Sequence, residues 1–141
     1  MYKRQVLVAR GPVAQARALM RTAHLGVVSL VPGVVAYAYP SKVATYAEEG
    51  LPILAVVESD SELARTVRDG GLGWAAAPGD LRGIAAAFVS AYDNLVSDPT
   101  FAAVRDRVRR YAAAEFALDH ALPRWAALVD AVTGSQPLAD V

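Results

Sequence analysis

The sequence SKVATYAEEGLPILAVV, residues 41–57, carries a helix pattern and, directly after it, a strand pattern. Ser41 is a preferred helix N-cap and Gly50 a preferred helix stop, so the pattern predicts a helix over residues 41–49. The run from Pro52 to Val57 is short and apolar, which is typical of a strand buried on both faces of a parallel sheet. The stretch therefore indicates an α/β fold.

The same alternation continues on both sides of this stretch. Further strands are predicted at residues 6–9, 25–31 and 73–77. Further helices are predicted at residues 14–22, between 59 and 70, at 80–95, from 98 onward and at 119–132. Strands joined by helical crossovers form a parallel sheet with helices on its faces. We expect one three-layer domain without internal repeats.

Three helix starts and three apolar stripes give the expected local contacts. Ser59 and Glu62 form an S-x-x-E capping box, Asp80 is an N-cap, and Asp98 is an N-cap followed by a first-turn proline. The stripes predict the buried helix faces. They are Ile84, Phe88, Ala91 and Leu95; Phe101, Val104, Val108 and Tyr111; and Leu122, Trp125, Leu128 and Val132.

Several conspicuous side chains are assigned structural roles. His24 is expected at the surface or as a cap, and Trp74 and Trp125 are expected in the core. A helix face of four arginines is expected to be solvated; these are Arg105, Arg107, Arg109 and Arg110. Three carboxylates are acid/base candidates by residue type: Glu58, Asp60 and Glu62. The capping box accounts for Glu62, and the helix dipole accounts for Asp60.

Composition excludes several classes of protein. The 141 residues carry 14 basic and 14 acidic side chains, which argues against a nucleic-acid-binding surface. Cysteine is absent, and the two histidines lack the spacing of metal ligands, so neither disulfides nor a metal site are expected. The longest uncharged stretch, residues 25–41, is shorter than the ~20 residues of a membrane span, and there is no signal peptide pattern. We therefore expect a cytoplasmic chain.

The ends of the chain differ from the rest. Residues 1–5, MYKRQ, hold one of the two lysines of an otherwise arginine-rich sequence and resemble the translation of a sequencing adaptor. We expect them to be non-native; the alternative is an ordinary polar tail. Residues 134–141 are expected to form a flexible tail.

The loops that follow the strands hold the candidate site. In open parallel sheets, ligands bind beyond the carboxyl ends of the strands. The longest such loop, residues 31–42, ends at the predicted helix start, where backbone amides and the helix dipole favour a phosphate. Lys42 adds a positive charge there. A solvated surface lysine is the alternative.

An ordered series of motifs resembles the donor-binding domain of family 4 glycosyltransferases. The motifs are VLVARGPV (6–13), AHLGVVSL (23–30), YPSKVATYAEEGLPILA (39–55), SELARTVRDGGLG (61–73) and PGD (78–80). The similarity covers residues 6 to about 132 and is greatest to the bacterial group of capsule, exopolysaccharide and O-antigen assembly.

That resemblance implies a fold and a function. The fold would be a Rossmann-like parallel sheet with flanking helices, forming the C-terminal domain of a GT-B enzyme without its first two strands. The domain would occupy residues 6–133. The parent enzyme would move a sugar, with retention, from a nucleotide sugar to a lipid-linked or saccharide acceptor, without metal or cofactor. Its acceptor domain, its catalytic residues and any peripheral contact with the inner face of the membrane would lie in the missing part.

The resemblance also assigns residues to the donor. Backbone around Arg10, Gly11 and Pro12 would face the base, and Tyr39 directly precedes the diphosphate site. The amides near Ser41, Lys42 and Val43 would hold the diphosphate. Thr45 and Tyr37 stand where many members have the two glutamates of an E-x7-E pattern, which contact ribose and sugar. Threonine could still bind ribose, but tyrosine leaves the sugar contact without its carboxylate.

Other functions remain open at this point. A sugar-nucleotide epimerase of the same fold would need carboxylates and a histidine in the cleft. A non-catalytic nucleotide-binding domain would have a complete sheet with no gap before Leu25. For the fragment itself, we expect the strand at residues 6–9 to be loosely attached or paired beside residues 25–31. The sheet would then have an exposed edge, and the chain would be inactive on its own.

Overall fold

The structure is a computed structural model that describes residues 6–34, 37–96 and 98–134, without the side chains of residues 95–100. Helices and strands alternate in the first half, and three helices follow. They are α1 (Val13–Thr22), β1 (Gly26–Ser29), α2 (Ser41–Glu48), β2 (Ile53–Val56), α3 (Glu62–Asp69), β3 (Gly73–Ala76), α4 (Leu81–Val96), α5 (Asp98–Glu115) and α6 (Leu118–Thr133). Predictions for residues 1–5 and 135–141 lie outside the described residues, as does the proposed side-chain cap of Asp98.

The sheet has three parallel strands in the order β1-β2-β3. Ile53 in β2 is in register with Gly26 in β1 and with Gly73 in β3. Helices flank this open sheet, so the predicted α/β class with a parallel sheet is confirmed.

Alternate residues of β2 point into two different clusters. Ile53 and Ala55 pack with side chains of α2 and α3, among them Val43 and Leu63. Leu54 and Val56 face the other way and pack against α4 and Trp74. All four residues of β2 are buried, because a parallel strand in the middle of a three-layer fold is covered on both faces. The side chain of Trp74 also donates an Nε1–H bond to Ser90 Oγ at 3.0 Å, which confirms its structural role.

The two strand predictions toward the N-terminus are corrected. Residues 6–9 form no strand, and Val6 and Leu7 are 84% and 90% exposed. They are attached loosely rather than paired beside residues 25–31. β1 is shorter than predicted, and Val27 is 42% exposed, because α4 covers only β2 and β3 on that face.

Two helix caps differ from the prediction. Pro40, not Ser41, is the N-cap of α2, and no side chain caps that end. Ser61, not Ser59, caps α3: its Oγ accepts from the amide of Ala64 at 3.1 Å and donates to the carbonyl of Glu58 at 2.6 Å. Ser61 is 9% exposed, so burial of the cap decides between the two serines. The predicted cap of α4 is confirmed, with Asp80 Oδ1 accepting from the amide of Gly83 at 2.9 Å.

Replacing Ser61 by alanine tests the corrected cap. We expect a loss of about 1–2 kcal/mol in the free energy of unfolding, because the first turn of α3 loses its side-chain acceptor in a buried position. Ser59→Ala is the control and should change stability by less than about 0.5 kcal/mol, since that side chain is exposed. Urea unfolding followed by circular dichroism measures both. The reverse order of effects would restore Ser59 as the cap.

The predicted stripe of α5 is confirmed in part: Val108 is buried, Val104 and Tyr111 are partly buried, and Phe101 is half-buried beside His24. Val108 and Ala112 are buried with Ala47 and Leu72, and Val104 and Tyr111 pack beside them. The arginine face is corrected at Arg105. Its guanidinium donates to the carbonyls of Arg21, Ala23 and Glu49 at 3.1–3.2 Å and lies over the ring of Phe101, so it joins three segments instead of facing solvent.

The last helix is placed as predicted, but its apolar face is not buried. Trp125 is 65% exposed, and no residue of α6 is buried. The face has no partner within the described residues, because α6 packs mainly on α5. The rest of the predicted stripe is also exposed, namely Leu122, Leu128 and Val132, as are the neighbouring Leu118 and Val129. The predicted core role of Trp125 and the burial of this stripe are therefore wrong.

Candidate functional site

The start of α2 lies at the carboxyl edge of the sheet, after the long loop that follows β1. Ser41 and Lys42 are exposed, and no acidic residue occupies the first turn. The amides of these two residues have no acceptor among the described residues, as expected for the first turn of a helix. With the helix dipole and the Lys42 ammonium, this end can receive a small anion.

The next residues of α2 complete the turn and anchor it. Val43 is fully buried, and its amide donates to the carbonyl of Pro40 at 3.0 Å. That leaves the amides of Ser41 and Lys42 as the donors toward a ligand. The hydroxyl of Thr45 donates to the carbonyl of Ser41 at 3.3 Å, so only its lone pairs remain for a further partner.

A pair of tyrosines stands beside this helix start. Burial, with a smaller contribution from Tyr111, raises the pKa of Tyr39 to about 12. Burial also raises the pKa of Tyr111, whose ring meets Phe116 edge-on at 5.7 Å. A tyrosine hydroxyl is protonated at neutral pH even at its ordinary pKa of about 10, so both can donate hydrogen bonds. Tyr111 was missed from the sequence because nothing in its local pattern links α5 to the loop before α2.

The loop before α2 is tethered to the end of β2. Glu58, which follows β2, accepts a hydrogen bond from the amide of Gly33 through Oε1, while its buried Oε2 has no partner among the described residues. Gly33 has φ +85°, a conformation that favours glycine. The tether gives Glu58 a structural role. The signal for this role in the sequence was the position of Glu58 directly after a buried strand. Neither Asp60 nor Glu62 shares the contact with Gly33.

The residues expected to contact the base come directly before α1. Arg10, Gly11 and Pro12 are exposed and, with Gln15 and Leu19, line a shallow cavity against α1. No side-chain hydrogen bond or ion pair joins them to the start of α2 in the part of the chain described. Of the predicted donor residues, those around Ser41 have their positions set by a helix start.

The two positions of the E-x7-E pattern differ in their surroundings. Tyr37 is 92% exposed and lies beside residues 35–36, which are not described. Thr45 is on α2, one turn after Ser41. His24 is exposed, with its ring 5.5 Å from that of Phe101, as predicted for a surface residue.

Among the described residues, no three histidine, aspartate or glutamate side chains form a cluster able to hold a metal ion. None of the helices in these ranges combines the length and apolarity of a membrane crossing. Comparison with models of protein families, with curated proteins and with solved structures finds no match to this chain.

Proposed function

We propose that this chain is part of the donor-binding half of a retaining GT-B glycosyltransferase, in which the start of α2 receives the diphosphate of a nucleotide sugar. The observation that carries the proposal is the exposed, uncapped first turn at Ser41 and Lys42, at the edge of the sheet where ligands of parallel sheets bind. The motif series quoted above supports the same assignment.

The chemistry needs a group that stabilises the leaving diphosphate. In sugar transfer, the bond between the anomeric carbon and the diphosphate oxygen breaks, the acceptor oxygen bonds to that carbon, and the proton of the acceptor hydroxyl passes to the leaving diphosphate. Negative charge then grows on the diphosphate, and fixed amide donors with a nearby cation lower the energy of that state. The amides of Ser41 and Lys42 and the Lys42 ammonium supply this part. Groups that bind the acceptor would come from another domain, so we expect no transfer by this chain alone.

The open edge of β1 agrees with an incomplete nucleotide-binding sheet. No strand pairs with the outer side of β1 within residues 6–34, 37–96 and 98–134.

Binding of nucleoside diphosphates to the 141-residue chain tests the proposal. Lys42→Ala should weaken binding of UDP or GDP about tenfold, equivalent to about 1.4 kcal/mol, because the diphosphate loses the positive charge of the Lys42 ammonium. Isothermal titration calorimetry of both nucleotides at low salt measures the dissociation constants.

Arg82→Ala is a matched control for this experiment. Arg82 is the second residue of α4, as Lys42 is of α2, and both are exposed, but the first turn of α4 is already capped by Asp80. Its removal should leave nucleotide binding unchanged. Equal affinity of the Lys42→Ala variant and the parent chain, or an equal loss in both variants, would reject the start of α2 as the diphosphate site.

A further inference from the structure

The segment before α1 is an apolar strand-like sequence without a partner. Residues 6–9, Val-Leu-Val-Ala, here called the N-terminal arm, have no secondary structure. Val6, Leu7 and Val8 are 84%, 90% and 56% exposed. β-Branched and aliphatic residues in this pattern favour a strand, but a strand needs an edge to pair with.

Such an edge exists on β1. The amides of Gly26 and Leu30 donate to the carbonyls of Pro52 and Val56, so alternate residues of β1 face β2. The backbone N–H and C=O groups of Val27 and Ser29 must then point away from β2, toward the open side of the sheet. No described residue pairs with them. These outward groups of Val27 and Ser29 form the β1 edge.

The β1 edge carries neither a charge nor a proline, two of the features that often prevent pairing. Exposed edge strands commonly carry a lysine, another inward charge or a proline that blocks a further strand. No charged residue occurs from Leu25 to Ser41, and β1 itself contains no proline. A groove beside the edge is lined by apolar side chains of α1 and β1, including Leu19, Met20 and Val27. An uncharged apolar strand therefore matches both the backbone and the side chains at this place.

We infer that the N-terminal arm of one copy pairs with the β1 edge of a second copy, giving a strand-exchanged homodimer. Within its own chain, the end of the arm lies against α1, where Val8 and Ala9 share a cavity with Ala16 and Leu19, and the chain's own edge stays open. The exchange is reciprocal, so a twofold dimer uses both arms and both edges and closes without further copies. The chain has zero formal net charge, so the copies do not repel one another.

The oligomeric state of the 141-residue chain tests this inference. Size-exclusion chromatography with light scattering should give a dimer, twice the 14.9 kDa of the chain, at high concentration. Leu7→Pro should raise the dimer dissociation constant at least tenfold, because proline removes a strand amide. Leu7 is 90% exposed and outside any element, so this variant should fold like the parent chain. Ser29→Lys should have a similar effect by placing a charge on the edge.

Val132→Ser is the control. Val132 is 79% exposed on α6, so this substitution should leave the dimer dissociation constant unchanged. Far-ultraviolet circular dichroism checks that all variants are folded. A parent chain that stays monomeric at its highest attainable concentration overturns the inference. So does a dimer that withstands Leu7→Pro or Ser29→Lys, or one that is lost in the Val132→Ser control.

Discussion

Gly73→Ala is expected to unfold most of the protein. Gly73 begins β3 with φ +152°, and a Cβ atom there would lie 2.0 Å from the carbonyl oxygen of Ile53 and 2.7 Å from its nitrogen. Both contacts are with backbone of the central strand, so neither can move without breaking the pairing of β2 with β3. We expect a loss on the order of 4–5 kcal/mol, a large part of the stability of a small domain.

Gly79→Ala separates the clash from the effect of the backbone angle. Gly79 has φ +82°, but a Cβ atom at this position would meet no other atom within 4 Å. The variant should lose only about 1–2 kcal/mol, the usual penalty for a left-handed conformation. Urea unfolding followed by circular dichroism measures both variants. If Gly73→Ala were no worse than Gly79→Ala, the close approach of β3 to β2 would be refuted.

Glu49→Gln should release α1 from the rest of the domain. No residue of α1 is buried, and Glu49, which is 6% exposed, accepts from Arg17 at 2.9 Å and from Arg21 at 2.7 Å. Glutamine keeps the shape but removes the charge that both arginines face. We expect a loss of about 2 kcal/mol, the usual range for hydrogen bonds to charged groups. Hydrogen exchange should show faster exchange of the α1 amides while β2 is little changed.

The same contact predicts a dependence on pH. The hydrogen bond from Arg21 is the largest cause that lowers the pKa of Glu49; burial opposes it, and Arg17 adds to it. A carboxylate with a lowered folded pKa stabilises the protein fully above its unfolded value, near 4.5, and the effect disappears as pH falls through the folded value. The stability difference between the parent chain and Glu49→Gln should therefore be constant near neutrality and shrink below about pH 4.5.

Glu48→Gln is the matched control for this pair. Glu48 is the neighbouring carboxylate and accepts from Arg17 at 2.7 Å, but its side chain is 42% exposed. Exposed ion pairs contribute less than about 1 kcal/mol, so this variant should retain α1. A loss for Glu48→Gln that matches or exceeds that for Glu49→Gln would contradict the central role of the buried carboxylate.

Local sequence patterns predicted the middle of the fold, because the residues that give the pattern there also make the tertiary contacts. The glycine stop of α2 and the apolar run of β2 have meaning in any parallel α/β protein, and both appear at the expected residues. The cap of α3 shows the limit of such signals. Two serines, Ser59 and Ser61, can each start a helix, and only the packing of Ser61 under the loop after β2 decides between them.

Contacts between distant segments account for the errors. Arg105 resembled a solvated arginine, because its carbonyl partners at Ala23 and Glu49 come from parts of the chain that no helical spacing connects to α5. Trp125 resembled a core residue, because an apolar stripe predicts a buried face without saying what covers it. In the candidate site, the helix start could be read from Ser41, whereas the neighbouring Tyr111 depends on how α5 packs.

The two tryptophans give the protein two separate fluorescent reporters. Trp74 is half-buried beside the sheet and hydrogen-bonded to Ser90, so its fluorescence emission reports whether β2, β3 and α4 stay packed together. Trp125 is 65% exposed on α6, so an aqueous quencher such as acrylamide reaches it first. The quenched fraction of the tryptophan emission therefore reports whether a partner covers α6, and the protected fraction reports whether the sheet is folded. Both are measured in a single unlabelled sample.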